Sequence, residues 1–235
     1  MPARKFFVKT VIILPAFNES VVIYKVLKSL PTKIHNISKI EYLVVDDGST
    51  DDTFGEILKL KSEVKIVRHI LNRGLGAAIK TGMAWAKSVN ADVVVTFDSD
   101  GQHDPGDLDS IIKPIVNKKA DIVIGSRFFK KQYIPPDRIF LNWFANFATF
   151  ILYGVYSTDS QSGLRAFSKK ALGLIDFKAD RMEFSSEILL EAKRNNLKIV
   201  EVPIKAIYTE YSRKKGQKNI NAIPIFARFL VKLLR

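Results

Sequence analysis

Residues Val93–Pro105 read VVVTFDSDGQHDP. A run of β-branched residues ends in acidic and amide side chains at alternate positions, Asp98, Asp100 and Gln102. A continuous apolar run of this kind suits a strand buried on both faces, as in a parallel sheet. Carboxylates set this close repel one another, so the cluster costs stability unless a cation sits between them. If the chain turns after Asp98, the two carboxylates converge on one hard cation. Mg²⁺ or Mn²⁺ suits such oxygen ligands and keeps phosphate oxygens and waters in the rest of its shell. That is half a site, completed by a diphosphate. His103, alone in the polar loop, reads as a hydrogen-bonding neighbour. Turn formation and capping before the next helix is the competing reading of the aspartates, but Asp104, Asp107 and Pro105-Gly106 already supply the turn.

Outward from this stretch the same alternation recurs. Strand-like runs lie at Thr10–Pro15, Ile40–Asp46, Val64–Ile70, Asp92–Asp98 and Asp121–Ser126. Helix patterns at Val21–Leu30, Thr53–Lys61, Leu75–Ser88 and Leu108–Lys118 separate them. The alternation predicts an α/β fold, a mostly parallel central sheet flanked by helices. Ligands of such sheets bind at the carboxyl ends of the strands. The unusual residues stand there: Pro15, Phe17 and Glu19 after the first strand, Asp46 and Asp47 after the second, Arg73 after the third, and Asp98, Ser99 and Asp100 after the fourth.

The second half is less regular. Arg138–Tyr156 is apolar enough to weigh as a membrane span, but Asn142, Asn146 and Thr149 interrupt it. It is expected to form an amphipathic helix packed on the domain or lying at an interface. A short strand is expected near Leu164–Phe167, helices near Lys170–Ile175 and Ser185–Asn195, and a strand over Lys198–Tyr208. Ile220–Arg235 places apolar residues at helical spacing among Arg228, Lys232 and Arg235, a basic amphipathic helix suited to a membrane surface, or alternatively to covering the domain core. Without internal repeats or low-complexity linkers, residues 1–219 read as one domain and 220–235 as its C-terminal helix.

Composition agrees with a globular chain. The 235 residues are 47% hydrophobic and 26% charged, and can bury a sizeable core. The absence of cysteine excludes disulfides and thiolate metal sites. The N-terminus, MPARKFFVKTVIILP, lacks a signal-peptide pattern. The formal charge of +13 is unevenly placed: residues 91–109 hold six Asp and no Lys or Arg, whereas 211–235 hold seven Lys or Arg and no acid. Such an excess suits nucleic acid, an anionic membrane or a phosphorylated substrate. A nucleic-acid module would leave Asp98, Asp100 and Gln102 without a purpose, so no nucleic-acid partner is expected. HILNRGLGAAIKTG (His69–Gly82) has glycines but not the dinucleotide register, since Ile79 stands where the third glycine or alanine is needed. It suits an anion or a close backbone approach.

In order, ILPAFNE, VVDDGSTDDT, NRGLGAAIKTGM, TFDSDGQHDP, GSRF, DSQSGLRAFSKKAL and EFSSEILLEAKRNNLKIVEVPI resemble the family 2 glycosyltransferases of GT-A fold, and among them the dolichol-phosphate mannose/glucose synthases. The resemblance runs over about residues 10–220. It implies that Asp98, Asp100 and Gln102 hold Mg²⁺ or Mn²⁺ against the diphosphate of a nucleotide-sugar donor. It places Pro15, Phe17, Glu19, Asp46, Asp47, Arg73, Lys80 and Ser99 at the donor. Arg127 and Arg165 match positions that hold the phosphate of a polyprenyl or dolichyl acceptor, through charge-assisted bidentate contacts. Arg213 and Lys218 resemble a basic loop that closes over the donor, although GQKN stands where relatives often read G-x-S-K. Glu183 lies where other members place a base, and reads equally as a loop carboxylate. The expected reaction is inverting transfer of a hexose from GDP-mannose, UDP-glucose or UDP-N-acetylglucosamine to the lipid phosphate. A soluble or glycan acceptor is the alternative. The expected place is the cytoplasmic face of a membrane, held by the basic tail or by a membrane-protein partner, since transmembrane helices common in relatives do not follow before Arg235.

Overall fold

The computed structural model describes residues 7–209 and Tyr211. The expected tail helix, with Arg213 and Lys218 before it, lies outside the described residues.

The elements run β1 (Lys9–Ala16), α1 (Ile23–Ser29), β2 (Lys39–Asp46), α2 (Thr53–Leu58), β3 (Lys65–Arg68), α3 (Leu75–Ser88), β4 (Val93–Thr96), α4 (Leu108–Val116), β5 (Ile122–Ser126), α5 (Pro136–Tyr153), β6 (Arg165–Ser168), α6 (Lys169–Leu174), α7 (Phe184–Arg194) and β7 (Ile199–Pro203). They build one sheet in the order β3-β2-β1-β4-β6-β5-β7. All neighbours are parallel except β6, which runs antiparallel to both β4 and β5. The mostly parallel expectation therefore holds, with one reversed strand in the middle. The reversal has a consequence for chemistry. Arg165, the first residue of β6, pairs in register with Thr96 of β4 and Ile124 of β5. A strand start is thereby delivered to the edge where its neighbours end.

Successive strands step outward from β1 to β3, then β4 returns to the other side of β1. The order reverses between β1 and β4, and ligands of open α/β sheets bind in the crevice at such a switch point. Strand residues alternate between two apolar layers. Ile12, Leu14, Val93 and Val95 pack with Ile23, Ile57 and Ile111 from α1, α2 and α4. Val11, Ile13, Leu43 and Val94 pack with Ile79, Leu172 and Ile188 from α3, α6 and α7. Gly82 of α3 lets that helix lie close, since a Cβ there would come 2.4 Å from Ile13 Cγ2.

Helix α5 reverses the usual amphipathic rule, under which the apolar stripe faces the core. Its buried residues are Asn142 and Thr149. Asn142 and Asn146 each donate from Nδ2 to the Thr158 carbonyl, at 3.1 and 2.7 Å. Asn146 Oδ1 accepts from Ser160 N, and Thr149 Oγ1 lies 2.9 Å from Ser186 Oγ on α7. The residues that interrupt the apolar run are thus the ones that dock the helix. Among the described residues no helix is long and apolar enough to cross a membrane.

Candidate active site

The crevice between β1 and β4 is rimmed by loops bound tightly to one another. Ser99 Oγ donates to the Pro15 carbonyl at 2.6 Å, joining the two strand ends directly. Asn18 takes a left-handed φ of 54°, which asparagine tolerates, and its Oδ1 accepts from Thr50 N at 2.8 Å. Glu19 N donates to Thr53 Oγ1 at 2.7 Å, and the Glu19 carboxylate accepts from Tyr211 OH at 2.9 Å. Tyr211, past the last strand, therefore reaches back to the first. Pro15, Phe17, Glu19 and Ser99 are gathered on one rim, with Phe17 exposed among its buried neighbours.

Asp46 and Asp47 are buried and engaged within the protein. Asp46 Oδ1 accepts from Ser49 N, and Oδ2 pairs with Arg68 Nε, both at 3.0 Å. Asp47 organises the whole turn after β3. Its Oδ1 receives His69 Nδ1 at 2.6 Å and Arg73 N at 3.0 Å; its Oδ2 receives Gly74 N at 2.7 Å and Asn72 Nδ2 at 2.9 Å. Four donors on one carboxylate rank it as the anchor of the glycine-rich turn. Gly48 between them and the turn has φ 70°, and a Cβ on it would come 2.4 Å from the Leu71 carbonyl carbon. The glycines at the start of α3 serve a close backbone approach: Cβ atoms at Gly74 and Gly76 would come 2.4 and 2.3 Å from the Asp180 and Ala179 carbonyl oxygens. Lys80 binds that same segment, donating to Lys178 O at 2.7 Å and Asp180 Oδ1 at 2.8 Å. Arg73 extends its side chain to solvent.

The acidic cluster turns immediately after β4. Asp100 Oδ1 accepts from Gln102 N at 2.9 Å, and the Gln102 amide donates to Asp100 Oδ2. His103, nearly buried, sets Nε2 3.2 Å from Asp98 Oδ2, its ring edge-on to Phe97. Its Nδ1 is buried and has no hydrogen-bond partner among the described residues. Burial works to raise the Asp98 pKa, but the His103 hydrogen bond and the charges of Arg127 and Arg165 prevail and lower it. Burial raises Asp100, and the Asp98 carboxylate beside it raises it further. The two carboxylates thus sit close enough to oppose each other's ionisation, the situation that a shared cation relieves. The oxygen-rich set of Asp98, Asp100 and the Gln102 amide fits Mg²⁺ or Mn²⁺. Among the described residues no three His, Cys, Asp or Glu side chains form a complete metal cage.

Arg127 follows β5 at the same edge. Asp159, fully buried, grips it with Oδ2 on Nε and Oδ1 on Nη2, both at 2.7 Å, and Oδ2 also accepts from its backbone N at 3.1 Å. Burial opposes the Arg127 charge, but Asp159 more than offsets this and raises its pKa. Asp159 is itself held by a loop that Glu201 of β7 fastens through Ser157 Oγ, Thr158 N and Thr158 Oγ1, at 2.6 to 2.9 Å. Arg165 differs: only 1% exposed, it donates to the carbonyls of Ser162, Ser185 and Ser160 at 2.6 to 2.9 Å. Burial pulls its pKa down to about 10, well above neutral. Glu183 is half-buried just before α7 and makes no side-chain cap.

Sequence reasoning passed over Asp159, Glu201 and Gly163. Gly163 had a signal, a glycine two residues before the arginine that opens a strand. A Cβ there would come 1.9 Å from Asp98 Oδ2. Its own carbonyl accepts from Thr96 Oγ1 at 2.7 Å. It is the floor on which the Asp98 carboxylate rests.

The chain is similar to known proteins. The chain is 41% identical to a UDP-N-acetylglucosamine–dolichyl-phosphate N-acetylglucosaminyltransferase of Methanococcus voltae, over 94% of each chain. It is 32% identical to a polyprenol monophosphomannose synthase of Mycolicibacterium smegmatis, over 83% of this chain and 76% of that one. Its backbone superposes on glucosyl-3-phosphoglycerate synthase from Mycobacterium tuberculosis, solved with Mn²⁺, UDP and glucosyl-3-phosphoglycerate, at a TM-score of 0.71. That likeness, at 20% identity over 96% of this chain and 78% of that one, shows a shared α/β fold of GT-A type. The sequence profile described as Glycosyl transferase family 2 matches residues 11–173, and with relatives this similar over nearly the full chain, the protein belongs to that family.

Proposed function

We propose that this glycosyltransferase moves a hexose from a nucleotide sugar to a polyprenyl or dolichyl phosphate, with inversion at the anomeric carbon. The observation that carries the reading is that the Asp98–Asp100 cluster and Arg127 lie at one sheet edge, close enough for the Arg127 charge to act on Asp98: acid for a cation and guanidinium for an anion. The names of the relatives, which act on dolichyl and polyprenol phosphates, point the same way.

Asp98, Asp100 and Gln102 would hold Mg²⁺ or Mn²⁺. When bound, the cation neutralises charge that develops on the leaving diphosphate. The Pro15–Glu19 rim positions the nucleoside, and Asp47 keeps the Arg73 turn in place beneath it. Arg127, oriented by Asp159, receives the acceptor phosphate. Arg165 acts one step removed, tying together the carbonyls of Ser160, Ser162 and Ser185 around the Asp159 loop. A phosphate oxygen is already ionised at neutral pH, so the reaction needs positioning more than a general base. Glu183 accordingly orients a substrate group rather than removing a proton.

The test is transfer of labelled sugar to dolichyl phosphate in detergent, with a panel of UDP- and GDP-sugars and Mn²⁺ or Mg²⁺. A lipid-linked product from one donor, lost with EDTA, is expected. Donor hydrolysis or transfer to a soluble acceptor, without lipid product, would overturn the acceptor class. Gly163→Ala probes the metal site separately. The new methyl must push the Asp98 carboxylate off its seat, and displaced supports of metal ligands typically cost about 10- to 100-fold in affinity. Calorimetric titration with Mn²⁺ and a nucleoside diphosphate reads that loss; unchanged affinity would remove Asp98 from the ligand set.

A further inference from the structure

We infer that Arg165 is a positioning residue for the cation site, holding the Gly163 seat beneath the Asp98 carboxylate, and is not a contact for the acceptor phosphate. The inference rests on the reading of Asp98 as a ligand of the donor's cation. Arginine is almost never fully buried unless it is paired. This one is 1% exposed, so a substrate phosphate finds no face of it open, and its hydrogen bonds go to main-chain carbonyls.

Those carbonyls say what it holds. Nε donates to Ser162 O at 2.9 Å, Nη1 to Ser185 O at 2.9 Å and Nη2 to Ser160 O at 2.6 Å. A guanidinium is a rigid planar fork. Three bonds in one plane therefore fix the course of residues 160–163 and tie it to the first turn of α7. The same loop is fastened to both neighbouring strands. Arg165 pairs in register with Thr96 of β4, and Thr96 Oγ1 donates to the Gly163 carbonyl at 2.7 Å. On the β5 side Gly125 N donates to the Leu164 carbonyl at 2.9 Å. What the loop delivers is Gly163, where a Cβ would come 1.9 to 2.4 Å from the three atoms of the Asp98 carboxylate. Asp98 stands two residues beyond Thr96, so ligand and seat share one strand end.

Charge works in the same direction as geometry. Burial raises the Asp98 pKa, and the His103 hydrogen bond with the charges of His103, Arg127 and Arg165 brings it below its ordinary value. Burial pulls the Arg165 pKa down to about 10, against the favouring charges of Asp159, Asp98 and Glu201. At neutral pH Arg165 is thus a resident cation beneath the cluster. The two arginines divide the work: Arg127, partly open and clamped by Asp159, faces the acceptor, and Arg165 supports the ligand of the metal.

The test is calorimetric titration of Mn²⁺ in the presence of UDP or of GDP, beside KM for dolichyl phosphate. Arg165→Lys keeps the charge and loses the fork; Arg165→Met loses both. Mn²⁺ affinity is expected to fall about tenfold in the lysine variant and further in the methionine variant, within the range for lost supports of metal ligands. KM for dolichyl phosphate at saturating Mn²⁺ and donor should stay as in wild type. Arg165→Lys decides the matter if Arg165→Met fails to fold. Combined with Gly163→Ala, the lysine variant should lose no more affinity than the weaker single variant, because both disturb one seat. Additive losses would overturn the inference. A raised KM for dolichyl phosphate with unchanged Mn²⁺ affinity would overturn it and return Arg165 to the acceptor. A lower melting temperature with unchanged Mn²⁺ affinity would overturn it in favour of a structural role alone. Wild type that binds no Mn²⁺ with either nucleotide would instead remove the cation reading on which the inference stands.

Discussion

Asp100→Ala is expected to lower sugar transfer by about three orders of magnitude, while leaving the metal-free protein as stable as before or more so. The first half follows from the role proposed for the cation: neutralising a departing diphosphate is worth several kcal/mol of barrier, at about 1.4 kcal/mol per factor of ten. The second half follows from the electrostatics of the cluster. Burial and the Asp98 carboxylate raise the Asp100 pKa above its ordinary value. A carboxylate whose folded pKa is raised favours the folded state least once it is ionised, so stability falls as pH climbs from the ordinary value through the raised one. Alanine removes whatever share of this penalty the working pH brings. Asp100→Asn keeps an acceptor for Gln102 N and separates the turn from the charge. Thermal melts in EDTA should thus match or exceed wild type for both variants, and Mn²⁺ with nucleoside diphosphate should stabilise wild type alone. Lower melting in EDTA together with lost activity would mean that Asp100 holds the loop rather than a cation.

The parts of this fold that sequence could disclose are those fixed by local pattern. Leu75–Ser88 was expected as a helix and is α3 residue for residue, because apolar positions at helical spacing and a preceding glycine are both local. The strand ends holding Pro15, Asp46 and Asp98 were legible for the same reason. Strand direction was not legible. Nothing within Arg165–Ser168 says that it will enter between β4 and β5 antiparallel, since that is decided by partners 40 or more residues away in the chain. Nor was it visible that Asp47 would find four donors at home. The carboxylate and the imidazole and amides that satisfy it are 22 to 27 residues apart. The arginines show the limit most clearly. Arg127 and Arg165 look equivalent as letters, yet one has a carboxylate partner at the site edge and the other is sealed among three carbonyls. Burial and partners, not residue type, separate the two guanidiniums.

Asp159→Ala should be the most damaging single change outside the acidic cluster, and it should damage stability and acceptor binding together. Asp159 is fully buried and makes three hydrogen bonds to Arg127, and its charge also favours the sealed Arg165. Removing one partner of a buried pair strands the other charge and costs about 3–5 kcal/mol. In a domain of this size that corresponds to a melting temperature lower by about 10 °C. Arg127, loosed from its clamp, would also lose its orientation toward the acceptor, raising KM for lipid phosphate more than it lowers kcat. A merely structural role predicts less folded enzyme with unchanged KM. Asp159→Asn, which keeps the size and one acceptor, should fall between wild type and alanine on both scales. The decisive comparison is the double variant Asp159→Ala with Arg127→Met. With both charges gone the stranded guanidinium is gone too, so stability should recover toward wild type while activity stays lost. If the two losses of stability simply add, the pair is not coupled, and Asp159 supports the loop through its backbone neighbours alone.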